Sequence, residues 1–111
     1  MHEIGTKPFS TLMIEGEVIE ALRTVYDPEI PVDIYELGLI YDVEVHKDGM
    51  VHIRMTLTSP ACPAAGQIPV EVEEKVRAIN GVTDVLVEIV WDPPWTPERM
   101  SEAAKLELGF F

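Results

Sequence analysis

The sequence predicts an α/β fold of two layers (an α+β arrangement), a small three-stranded sheet carrying helices on one face in the order α-β-β-α-β-α. Three observations predict it. Two runs alternate apolar with polar residues on either side of a Lys47-Asp48-Gly49 turn. One stretch before this pair and one after it repeat apolar residues at helical spacing. A third alternating run and a capped segment then close the chain. Elements in that order bury one side of a sheet under helices.

Residues 1–14 show no period and read as a loose N-terminal arm ahead of a single domain over residues 15–111. The length of 111 residues suits one such unit. Val18, Ile19, Leu22, Val25 and Tyr26 recur on one face of the first helix, with Glu17, Glu20, Arg23 and Thr24 on the other. That helix is expected to stop at Asp27-Pro28, because a residue before proline is pushed out of helical geometry. Asp27-Pro28-Glu29-Ile30-Pro31 follows as a stiff, extended loop whose prolines lack backbone donors.

Tyr41, Val43 and Val45 alternate with Asp42, Glu44 and His46. In the next run Val51, Ile53, Met55 and Leu57 alternate with His52, Arg54 and Thr56. The apolar faces coincide when Val45 lies opposite Val51 and Val43 opposite Ile53. That register sets Asp42 against Arg54 and Glu44 against His52, and it asks for positive φ at Gly49.

The second helix is expected from about Pro63 to Asn80, with Gly81 as its stop signal. Ile68, Val72, Val76 and Ile79 form its apolar stripe, and Glu71 can reach Lys75 one turn on. Pro69 interrupts this pattern and should kink or shorten its first part. The third strand spans Asp84 to Trp91, apolar at Val85, Val87, Ile89 and Trp91. Thr96 as N-cap and Pro97 at the first helical position open a last helix carrying Met100, Ala103, Ala104 and Leu108. Leu86 and Val90 point away from the Val85 face, so the outer face is partly apolar and suggests a homodimer contact.

Charge limits the partners. Twenty acidic against eight basic residues give a net charge of −12, a surface that repels nucleic acid and anionic membrane. No apolar run reaches bilayer length, and residues 1–7 lack an export pattern. A single cysteine forms no disulfide within the chain and fits a reducing, cytoplasmic setting.

That cysteine, Cys62, stands between the second strand and second helix in Thr58-Ser59-Pro60-Ala61-Cys62-Pro63. A helix N-terminus stabilises a thiolate, and Thr58 and Ser59 offer hydroxyls to the sulfur or a bound ligand. A small buried hydrophobe is the plainer reading of a free cysteine, and nearby carboxylates oppose its ionisation. Asp27 and Glu29 read either as solvated turn acids or as neighbours of the thiol. His46 and His52 read as strand residues of the polar face. Paired metal-ligand motifs, a hydrolase triad and a phosphate-cradling glycine loop are absent from the sequence. In Trp91-Asp92-Pro93-Pro94-Trp95, Trp91 reads as a core cover, and Trp95 stays open as a partner-binding candidate.

Four stretches together resemble the SufT family, the SUF-associated members of a group that includes PaaD-type proteins and the eukaryotic cytosolic iron–sulfur targeting factor. They are Tyr26-Asp27-Pro28-Glu29-Ile30-Pro31-Val32, Leu37-Gly38-Leu39-Ile40-Tyr41-Asp42, Met55-Thr56-Leu57-Thr58 with Pro60 and Cys62-Pro63, and Trp91-Asp92-Pro93-Pro94-Trp95-Thr96-Pro97. The resemblance runs from about residue 16 to the end, with Ala61 where many relatives have glycine and Pro69 within the second helix. It implies an accessory factor, not an enzyme, in assembling iron–sulfur clusters or transferring them to apo-proteins. Cys62 is then the functional thiol and a transient metal ligand, supported by Asp27, Glu29, Thr58 and Ser59. The implied cofactor is a labile iron–sulfur cluster shared between chains, since one thiolate under-ligates iron. The implied partners are SUF-type assembly proteins and iron–sulfur apo-proteins. A thiol enzyme carrying persulfide sulfur, or a pure protein-interaction adaptor, are the alternatives.

Overall fold

The computed structural model describes residues 9–28, 30–58 and 66–109. Helix α1 spans Phe9–Leu22, so residues 9–14, expected within a loose arm, are helical. Thr11, Ile14, Val18 and Leu22 are its buried positions, spaced by three and four. The polar Thr11 hid the first part of this stripe. The helix also ends a turn earlier than expected. Thr24 and Val25 donate to the carbonyls of Ala21 and Leu22, a tightening of the last turn. Val25 is buried beyond the helix and its carbonyl accepts from Ile34 N, whereas Tyr26 is 58% exposed.

Strands β1 (Ile40–Val45) and β2 (Met50–Met55) form the hairpin in the predicted register, with Val43 opposite Ile53 and Val45 opposite Val51. Asp42 faces Arg54 and Glu44 faces His52, and Gly49 takes φ +93°. A side chain at Gly49 would meet the Gly81 carbonyl oxygen, so this glycine serves the turn and the neighbouring loop together. The pairing slips between Ile40 and Asp42, a bulge at Tyr41 that the alternation does not reveal. Thr56, expected on the polar face, is fully buried. The strand has ended by then, and Thr56 N–H turns to the Leu39 carbonyl at 2.8 Å.

Helix α2 spans Gln67–Arg77, buries Ile68, Val72 and Val76, and joins Lys75 to Glu71 at 3.3 Å. Residues 63–65 of the expected helix lie outside the described residues. Pro69 falls in the first turn, where a backbone N–H has no helical acceptor, because the helix starts at Gln67, late, as the proline leads one to expect. The helix stops three residues before Asn80. Strand β3 spans Asp84–Ile89, two residues shorter than expected, and runs parallel to β2. The sheet is therefore mixed, in the order β1-β2-β3, with α2 as the crossover between its parallel strands.

Helix α1 packs on β1 and on α2, and α2 packs on β3. Val45, Val51, Ile53, Met55 and Val85 are buried on that side, while Asp42, Glu44, Arg54, Leu86 and Glu88 are exposed on the other. Beyond β3 the expected single helix is divided. Pro97–Arg99 form a 3-10 turn after Thr96, Met100 is extended and buried, and Ser101 caps α3 (Glu102–Leu108) by accepting from Ala104 N. Burying Met100 in the core breaks the helical path, and the hydroxyl of Ser101 restarts it. Among the described residues no helix is long and apolar enough to cross a membrane.

Candidate functional site

The segment between α1 and β1 folds back on itself. Ile34 N–H donates to the Val25 carbonyl at 2.8 Å, and Tyr26 and Asp33 form an isolated bridge. Pro28 and Pro31 bring no donors to this turn, so side chains help to organise it. Asp27 does so from inside. Its side chain is buried, the residue being 3% exposed, and its Oδ1 accepts from Ile30 N at 3.0 Å. Its own N–H reaches the Val32 carbonyl at 3.4 Å. Asp33 acts similarly one step on, where Oδ2 accepts from the backbone N–H groups of Tyr35 and Glu36. That turn buries Ile34, Leu37 and Leu39 completely.

The second carboxylate oxygen of Asp27 faces the exit of β2. Thr58 Oγ1 lies 3.5 Å from Asp27 Oδ2, a long contact in which the hydroxyl donates. Of the five residues proposed for the thiol site, Asp27 and Thr58 are thus brought together. Glu29, Ser59 and Cys62 lie outside the described residues. Thr58 precedes Cys62 by four residues in the sequence, and the described helix α2 starts five residues after it, at Gln67.

Thr56 is a further feature of this strand exit. Its Oγ1 is buried and has no hydrogen-bond partner among the described residues. Burying a hydroxyl without a partner costs free energy. Its place among alternating polar residues gave no sign of burial, although Thr56-Leu57-Thr58 stands directly ahead of the cysteine segment.

The proline-rich segment after β3 does not have the expected arrangement. Trp91, read as a core cover, is 47% exposed. Trp95 instead packs against the core and donates its indole N–H to the Leu37 carbonyl at 2.7 Å. Two more bonds fasten the same strap. Tyr41 donates its hydroxyl to the Pro93 carbonyl at 2.7 Å, and Ser101 N–H donates to the Glu36 carbonyl at 2.8 Å. The strap therefore holds the turn over residues 34–39, which leads directly from the Asp27 loop into β1.

Among the described residues no group of three or more His, Asp or Glu side chains is placed to hold a metal ion. His52 engages Glu88 at 2.9 Å and lies 3.8 Å from Glu44, as a residue of the polar face. Within the described residues the buried Asp27 carboxylate is engaged by the Ile30 N–H on one oxygen and by the Thr58 hydroxyl on the other.

Residues 15–89 match the protein family described as "Iron-sulfur cluster assembly protein". A Porphyromonas gingivalis protein named Fe-S protein maturation auxiliary factor is 52% identical over 99 residues, covering 89% of this chain and 94% of its own. The Staphylococcus aureus Fe-S protein maturation auxiliary factor SufT is 46% identical over 85 residues, covering 77% of this chain and 97% of its own. A crystal structure of a Bacillus anthracis domain of unknown function, DUF59, has the same fold, with a TM-score of 0.84 and 42% identity. That match covers 92% of this chain and 97% of the other.

Proposed function

Because the chain belongs to the iron–sulfur cluster assembly protein family, we propose that it is an accessory factor that helps to assemble clusters or pass them to apo-proteins through the Cys62 thiol. The observation that carries this reading is the approach of Thr58 to the buried carboxylate of Asp27. It joins the Asp27-Pro28-Glu29 loop to the strand exit that continues into Ser59 and Cys62. Acids and thiol are far apart in sequence, and this contact is what supports treating them as one site.

The chemistry follows from ligand count. An iron–sulfur cluster is held by a set of thiolate ligands, and each chain has one cysteine. The cluster is cargo, held briefly by Cys62 and completed by a second chain, an outside thiol or the receiving protein. Asp27 and Glu29 stand by as hard oxygen donors to iron or as acceptors for a basic partner. Ser59 supplies a hydroxyl to the sulfur, while Thr58, donating to Asp27, supports the site by tying the acid loop to the strand exit. The partners are SUF-type assembly proteins and iron–sulfur apo-proteins, in the cytoplasm. A persulfide-carrying thiol enzyme would turn over with a sulfur donor, and a pure adaptor would work without its thiol.

Anaerobic reconstitution of the wild type and of Cys62→Ser, with absorbance and iron content followed together, tests this reading. The wild type should take up a labile cluster and pass it to an apo-protein, and the variant should do neither. Equal transfer by a well-folded Cys62→Ser protein would refute the thiol mechanism in favour of the adaptor.

A further inference from the structure

β1 is an edge strand, paired with β2 on one side and with no described strand on the other. His46 N–H donates to the Met50 carbonyl at 2.8 Å, which fixes the phase of the hairpin ladder. In an antiparallel pair the backbone groups alternate between the partner and the open side. Asp42, Glu44 and His46 therefore direct their backbone groups to β2, and Val43 and Val45 direct theirs to the open edge. Beside this edge lies a groove of about 290 Å³ between α1 and β1. Ile19, Tyr35, Ile40, Tyr41 and Val43 line it together with the acids Glu15 and Asp42.

The opposite edge of the sheet is closed at one end. Asp84 Oδ1 accepts from Val85 N at 2.9 Å and from Arg77 at 3.0 Å, so a side chain occupies a donor that an added strand would need. Among the described residues β1 has no such stopper beyond its bulge at Tyr41.

We propose that the free edge of β1 binds an extended segment of a partner protein in which apolar residues alternate with lysine or arginine. Side chains of an added strand alternate between the faces of the sheet. Its apolar residues would enter the groove beside α1, and its cations would lie over exposed Asp42 and Glu44 on the open face. Charge separates this occupant from a second copy of the chain. Antiparallel self-pairing about Val43 sets Asp42 against the partner's Glu44, and shifting the register by two sets Glu44 against its own copy. Like charges directly opposite are unfavourable, and each chain carries −12. A basic strand reverses the sign of those contacts.

The test is titration of the ¹⁵N-labelled full chain with acetyl-Lys-Val-Lys-Val-Lys-Val-amide and with its glutamate counterpart. With the lysine peptide, the Val43 and Val45 amides should shift and become protected from hydrogen exchange. The glutamate peptide should leave them unchanged. Val43→Pro removes an outward donor, not a ladder bond, and Asp42→Lys reverses one contact charge; each should weaken binding about tenfold. Asp42→Lys alters an exposed side chain, so it decides the matter if Val43→Pro does not fold. Cys62→Ser should bind the peptide normally, which separates this proposal from the thiol mechanism. Equal binding of both peptides, perturbations centred on β3, or a dimer in sedimentation equilibrium that Val43→Pro dissociates would each overturn the proposal.

Discussion

Trp95 donates its indole N–H to the carbonyl oxygen of Leu37 across 2.7 Å, and this bond ties the proline-rich strap to the turn that enters β1. Leu37 is fully buried, so its carbonyl has little access to water when the indole is lost. Trp95→Phe keeps most of the ring volume and deletes the donor. The expected cost is about 1–2 kcal/mol, read as a melting temperature lower by about 5–10 °C. An unchanged melting curve would mean that the strap contributes nothing to holding this turn.

Two glycines should respond to alanine with opposite signs. Gly38 has φ +81°, and a Cβ there would meet the Arg99 carbonyl oxygen. Gly38→Ala should therefore destabilise the protein by about 2–4 kcal/mol, combining backbone strain with displacement of the strap. Gly16 lies inside α1 with nothing within 4 Å of an added Cβ. Gly16→Ala should stabilise by about 0.5–1 kcal/mol through helix propensity. Urea midpoints of the two variants measure this contrast directly, and shifts of the same sign would contradict the assigned backbone conformations.

The hairpin was legible in the sequence because three signals agreed. Apolar alternation, the Lys47-Asp48-Gly49 turn and the cross-strand charges all select one register, and a slip of one residue would expose Val43 and Val45. Elsewhere tertiary contacts overrode local pattern. Thr11 is a polar residue in a buried helical stripe, so the start of α1 was missed. Thr56 continued the strand alternation by residue type, yet the strand ended at Met55 and its side chain turned inward. Trp91, read as a core cover, is exposed, and Trp95, which stayed open, packs against the core, a difference that the side-chain type, identical at both positions, does not encode. For the candidate site, the residue type of Asp27 left its role open and the family resemblance pointed to it together with Thr58, but only the fold brings the two side chains together.

The acid limb of stability should depend on Asp84. A hydrogen bond from Val85 N–H, then one from the Arg77 guanidinium, holds its carboxyl below the usual carboxylate range. Glu73, followed by Asp84, raises the already high value of Arg77, so that partner stays charged throughout. The folded state binds the Asp84 proton less readily than the unfolded state. This contribution is therefore fully present above the ordinary aspartate range and is lost as pH falls through the lowered folded value. Asp84→Asn should flatten that part of the urea-midpoint curve below about pH 4 and leave its shape near neutrality unchanged. An acid limb as steep as that of the wild type would show that Asp84 does not contribute.

Asp27 allows charge to be separated from architecture. Asp27→Asn retains an oxygen to accept from Ile30 N–H and replaces the oxygen facing Thr58 with an amide donor. A hydroxyl both donates and accepts, so Thr58 can turn to receive that donor. The fold should therefore survive with a cost of about 1 kcal/mol, whereas Asp27→Ala leaves the Ile30 N–H without this acceptor and should cost about 2–3 kcal/mol. If the carboxylate acts on iron or on a basic partner during transfer, the asparagine variant should deliver a cluster to an apo-protein several-fold more slowly despite its near-normal melting curve. Thr58→Val provides the comparison, because it deletes the hydroxyl and keeps the negative charge. A rate lost in Asp27→Asn and kept in Thr58→Val would place the function on the charge. Loss in both, in step with falling melting temperature, would make Asp27 a purely structural organiser of its loop.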